Sequence, residues 1–73
     1  MTDLTQTQID ANKLKEARER KGLTQAEVGA AVGVQKAAIS KIECGIGLPS
    51  AETLARLCAL YEVGITELTT QAP

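Results

Sequence analysis

Glycines at positions 22, 33 and 45 cut the middle of the chain into two short segments, and each segment carries its own helix signals. The first opens on Thr24-Gln25-Ala26-Glu27, the form of a capping box. In it the Thr hydroxyl accepts from the amide three residues on and the Glu side chain reaches back to the cap. The second runs from Gln35 to Cys44, with Ala38, Ile39 and Ile42 as one apolar stripe. The first segment, with Ala26, Val28, Ala30, Ala31 and Val32, is rich in small residues, which suits close approach by a neighbouring helix. Gly33-Val34 makes the turn between them.

Helical periodicity extends on both sides. Ile9 is expected to open a first helix, with Ala11, Leu14 and Ala17 recurring at helical spacing through Lys21 and Gly22 as its stop. After Pro49 and Ser50, the positions Ala51, Leu54, Leu57, Cys58 and Tyr61 repeat at threes and fours in a further amphipathic helix, broken by Gly64. Ile65 to Leu68 has room for one more turn. The expected fold class is all-α, a compact domain over residues 8–68. A flexible N-terminal segment (1–7) and a flexible tail (69–73) are expected to flank it.

Composition removes several classes. The 73 residues hold no histidine and two cysteines, Cys44 and Cys58, without the close pairing of metal or redox sites, so no metal or cofactor is expected. Neither a phosphate-cradling glycine loop nor a carboxylate pair set for catalysis is present, which argues against an enzyme. Tyr61 is the sole aromatic residue, leaving almost nothing for the base stacking used by readers of RNA and single strands. No apolar run is long enough to span a membrane, and the first residues lack the pattern of a secretory signal, so a cytoplasmic protein is expected. The net charge of −1 argues against an indiscriminate binder of nucleic acid, because such proteins neutralise many phosphates. A second subunit would help so short a chain to cover apolar surface.

Two short helices crossing steeply hold the second proud of the surface, where its free side fits the major groove of a duplex. The stretch LKEARERKGLTQAEVGAAVGVQKAAISKIECG, followed by LPSAETLARLCALYEVGITEL, resembles the Cro/Xre-type repressor helix-turn-helix family over roughly Ala11 to Leu68. The resemblance implies a compact five-helix repressor-type domain with the helix-turn-helix formed by helices two and three. It also implies a sequence-specific transcriptional regulator that binds a double-stranded DNA operator as a homodimer, a repressor with activation as the alternative. It implies that Thr24 and Gln25 grip a phosphate at the start of helix two, where unpaired amides and the helix dipole favour an anion. It places Gln35, Lys36 and Ala37 in the first turn of the reading helix, with Ser40 and Lys41 one turn on. Gln and Lys are residue types that read adenine and guanine edges, and Ala packs on a thymine methyl. The alternative for this face is a plain solvated surface. Arg18 and Glu43 match positions that pair with each other, tying helix one to the end of helix three.

Two departures from the family pattern bear on affinity. Gln35 is a poorer cap than Ser or Thr. The loop after helix three, Cys44-Gly45-Ile46-Gly47-Leu48, lacks the Lys or Arg that usually hold phosphate there, so a shallow salt dependence is expected. Ile46 and Leu48 are expected to tuck under helix four, the alternative being an apolar spot for a partner protein. A reactive thiol needs basic neighbours, and the residue adjacent to Cys44 is Glu43, which disfavours a redox role, while Cys58 reads as core. Leu60, Val63, Ile65 and Leu68 exceed what a four-helix core needs and are candidate dimer contacts, with an intramolecular core role as the equal alternative. A pair formed there would hold two reading helices about 34 Å apart, one turn of DNA. The competing function is an antitoxin or other interaction module built on the same motif, disfavoured by the few polar residues after Leu68. No small-molecule effector is evident.

Overall fold

The computed structural model describes residues 7–71. In chain order the elements are β1 (Thr7–Ile9), α1 (Ala11–Arg20), α2 (Gln25–Val32), α3 (Lys36–Glu43), α4 (Ala51–Tyr61), a 3-10 turn (Ile65–Leu68) and β2 (Thr69–Gln71). The four α-helices start where local chemistry lets them. Asp10 caps α1, its carboxylate accepting from the amides of Asn12 and Lys13, and Ser50 caps α4 by accepting from Thr53. At the end of α1 the Gly22 and Leu23 amides return to Glu19 O and Arg18 O, closing the carbonyls a helix end leaves open.

The core is aliphatic plus one ring: Leu14 and Ala17 from α1, Val28 and Val32 from α2, Ile39 and Ile42 from α3, Leu57 and Tyr61 from α4, and Leu68. Burial raises the Tyr61 phenol to about 12, so the ring stays neutral inside the core. The extended faces expected from the pattern are narrower. In α2 only Val28, Gly29 and Val32 are buried, whereas Ala26, Ala30 and Ala31 face solvent, because an eight-residue helix docked on one side covers one stripe only.

Several expectations are corrected. In place of a fifth α-helix there is a four-residue 3-10 turn, at whose start the Glu67 amide donates to Gly64 O at 3.0 Å. Ile9 does not open α1; it lies in β1, and the helix begins after Asp10. Thr7, assigned to the flexible start, and residues 69–71, assigned to the flexible tail, pair as an antiparallel two-stranded sheet with Ile9 opposite Thr69 and Thr7 opposite Gln71. That sheet is fastened to α1: the Asp10 amide donates to Leu68 O at 2.9 Å, Thr70 Oγ1 donates to Asp10 Oδ2 at 2.6 Å, and Lys13 Nζ donates to Thr69 O at 3.0 Å. The remainder of those two segments, residues 1–6 and 72–73, lies outside the described residues. Leu68, a candidate dimer contact, is fully buried in the monomer's own core, because the sheet pins it beneath α1.

Gly64 does not terminate α4 either. The chain reverses at Glu62, which holds φ 58° and ψ 46°, the left-handed region that disfavours a side chain, while Gly64 keeps φ −81°. Glu62→Gly is therefore expected to stabilise the fold by about 1 kcal/mol. The ion pair lost with it, Lys21 Nζ to Glu62 at 3.2 Å, is solvent-exposed and contributes little. Urea unfolding midpoints check this, and an unchanged or lower midpoint refutes it.

Candidate nucleic-acid interface

Helix α2 begins with both halves of its capping box formed: Thr24 Oγ1 accepts from Glu27 N at 3.1 Å and Glu27 Oε1 accepts from Thr24 N at 2.9 Å. The Thr24 amide foremost, and the Thr24 side chain second, hold the Glu27 carboxyl below its ordinary range. The Thr24 amide is thus already engaged, its hydroxyl oxygen accepts while keeping its own O–H to donate, and a carboxylate occupies part of the space that an incoming anion would use. The amides of Gln25 and Ala26 are the ones left for a phosphate at this end.

Gly33 ends α2 at φ 81°, and the chain turns at once into α3. The two helices meet most tightly at Gly29, where a Cβ would lie 2.7 Å from Val34 O and 3.2 Å from the Gln35 carbonyl carbon. Backbone on backbone at that distance admits only glycine without displacement. The Val34 amide donates to Gly29 O at 2.9 Å across the same contact.

Helix α3 begins at Gln35 without a side-chain cap bond, in keeping with its poor capping chemistry. Ile39 and Ile42 are buried against α2 and the core. At about 100° per residue, Lys36, Ala37, Ser40, Lys41 and Cys44 fall on the opposite arc. Gln35, Lys36, Ala37, Lys41 and Cys44 are exposed and Ser40 is half-buried. This arc carries no acid, and among the described residues neither lysine forms an ion pair. The helix therefore brings Lys36, Ala37, Ser40 and Lys41 onto one open face, with Gln35, its extended cap, exposed just before it.

Behind that face lies a buried polar knot. Arg18 Nε donates to Glu43 Oε2 at 2.7 Å and Nη2 to Glu43 Oε1 at 3.0 Å, a two-pronged pair whose side chains are 12% and 4% exposed. The carboxylate beside it raises the Arg18 guanidinium above its already high value. Arg18 Nη1 also donates to Leu23 O at 2.9 Å, and Gln25 Nε2 donates to Glu43 Oε1 at 3.2 Å. The inward bond of Gln25 is a feature that sequence reasoning misses. Nothing in the spacing of residues 25 and 43 indicates it, and only the docking of α2 on α3 brings them together.

The α3–α4 loop departs from expectation. Ile46 and Leu48 do not tuck under α4; they are 77% and 81% exposed, because the Ile46 and Gly47 amides fold back onto Lys41 O and turn the loop outward. Cys58 is partly buried, which pushes its thiol up.

A family model described as Helix-turn-helix matches residues 14–68, from the middle of α1 to the end of the 3-10 turn. The chain is a helix-turn-helix protein of the Cro/Xre type. Helix-turn-helix proteins of this kind are DNA-binding transcription regulators. The 10 kDa protein of the ImmF control region of Bacillus phage phi105 is 36% identical over 64 residues, 82% of this chain and 71% of its own length. A glutamine–fructose-6-phosphate aminotransferase of Methanocaldococcus jannaschii is 40% identical over 58 residues, but the helix-turn-helix chain spans only 5% of that protein's length. The P22 c2 repressor, solved in complex with a synthetic operator, superposes with a TM-score of 0.78 at 28% identity, covering 84% of this chain and 92% of that one.

Proposed function

We propose that this helix-turn-helix chain is a cytoplasmic transcriptional repressor that binds a two-fold DNA operator as a homodimer. The observation that carries it is the acid-free, outward face of α3, with Lys36 and Lys41 exposed and unpaired among the described residues. The likeness to a repressor solved on its operator supports it. In this reading residues 8–68, with the strands that close on them, form the DNA-binding domain. Gln35, Lys36, Ala37, Ser40 and Lys41 enter the major groove, and the α2 N-terminus at Thr24 and Gln25 meets the flanking phosphate. Leu60 and Val63 are partly buried and Ile65 is 48% exposed, which leaves these three as the dimer contacts proposed. A sedimentation series showing only monomer, with and without operator, removes the dimer.

The direct test is fluorescence anisotropy with the DNA upstream of the chain's own gene. Lys36→Ala and Lys41→Ala are each expected to weaken binding about tenfold, within the range for one base-reading side chain. Each lysine that meets phosphate should also flatten the slope of log K against log salt by about 0.9. Full affinity in both variants shows that α3 does not present the reading face. A second reading, an interaction module that docks a protein partner, draws on the exposure of Ile46 and Leu48.

A further inference from the structure

The Arg18–Glu43 pair does more than join α1 to α3. Its hydrogen bonds reach the residues on both sides of the α2 cap: Arg18 Nη1 holds Leu23 O, one residue before Thr24, and Glu43 Oε1 holds Gln25 Nε2, one residue after it. Glu43 is also the last residue of α3. One buried carboxylate thus fixes the end of the reading helix and the start of the helix whose free amides face outward. Gln25 is half-buried, and its bond to Glu43 uses one of the two N–H groups on Nε2. The bond also settles which way the amide faces, because the carbonyl oxygen of Gln25 is repelled by the same carboxylate. The second N–H and the backbone amide of Gln25 remain as donors beside the α2 N-terminus.

We propose that Glu43 is a positioning residue for DNA binding: it holds Gln25 so that the side-chain N–H left over donates to a backbone phosphate while α3 lies in the groove. The proposal rests on the DNA-binding reading above. It separates Glu43's contribution to affinity, delivered through Gln25, from its contribution to stability, delivered through Arg18.

The experiment is a mutant cycle read by anisotropy on the DNA upstream of the chain's own gene at low salt, with folding checked by circular dichroism. In the wild-type background Gln25→Ala is expected to weaken binding about tenfold, the scale of one hydrogen bond to a charged acceptor. The background Arg18→Met with Glu43→Met replaces the pair by apolar side chains, an exchange that buried pairs tolerate. There the protein is expected to bind about tenfold more weakly than wild type, and Gln25→Ala is expected to cost less than about twofold more. If Gln25→Ala costs the same factor in both backgrounds, Gln25 acts without Glu43 and the proposal is overturned. Should the double-methionine protein not fold, Glu43→Gln takes its place, because a neutral amide no longer repels the Gln25 carbonyl and leaves its orientation unfixed. Gln25→Ala is then expected to cost clearly less than in wild type, and an undiminished cost of about tenfold overturns the proposal. A wild-type protein that fails to bind duplex at all refutes the DNA-binding reading itself, a distinct outcome.

Discussion

Arg18→Ala is expected to lower the stability of the fold by about 3 to 5 kcal/mol. Glu43, with its side chain 4% exposed, accepts three hydrogen bonds, two of them from Arg18. Alanine leaves that nearly enclosed carboxylate with one neutral amide as its partner among the described residues. It also releases Leu23 O, which Arg18 Nη1 satisfies beside the α2 cap. A 73-residue domain has a total stability of only about 4 to 11 kcal/mol, so a loss of that size brings it close to unfolding at ambient temperature. Urea melts decide the matter, and a midpoint equal to that of wild type sinks the argument. The companion measurement is the paired replacement Arg18→Met with Glu43→Met, which is expected to stay near wild-type stability because no charge is left orphaned.

Gly29→Val is expected to cost about 3 kcal/mol. The obstacle is main chain: Val34 O, the Gln35 carbonyl carbon and the Lys36 amide nitrogen all lie within 3.3 Å of where a Cβ would sit. None of these can swing aside as a flexible side chain would. The gain in helix propensity over glycine, less than about 1 kcal/mol, does not offset the clash. Relief requires α3 to move off α2, so α3 is displaced as well as the fold weakened. For a domain of this size the melting temperature should fall by roughly 12 to 24 °C. Ala30→Val, on the exposed side of the same helix, is the control and is expected to change stability by less than about 0.5 kcal/mol. Equal shifts in the two variants dispose of the close-packing account.

The parts of the fold legible in the sequence are those encoded within a few residues. The Thr24-Glu27 capping box, the Gly33 turn and the Ile39-Ile42 stripe are local chemistry, and each stands where its residues indicate. The exposed arc from Gln35 to Lys41 follows from the same stripe. What escaped depends on partners far away. Strands of three residues have no measurable period, and Thr70 meets Asp10 across 60 positions, so the terminal sheet was invisible. The burial of Leu68 follows from that sheet. Gly64 looked like the breaker because glycine usually is, whereas α4 ends on a glutamate held in a glycine-like conformation. Ile46 and Leu48 looked set to tuck under α4, but the bonds of the Ile46 and Gly47 amides to Lys41 O turn the loop outward. The turn of Gln25 toward Glu43 needed the three-dimensional docking of two helices.

The pairing of Thr7 with Gln71 and of Ile9 with Thr69 has a mechanical consequence. Both strands run away from the helices side by side, and their outer ends lie together. A force that pulls residues 7 and 71 apart acts on one rung at a time, like a zip, rather than shearing all three together. The ladder therefore gives way at its outermost rung first, and tension reaches α1 only after the Asp10 latch to Leu68 and Thr70 has opened.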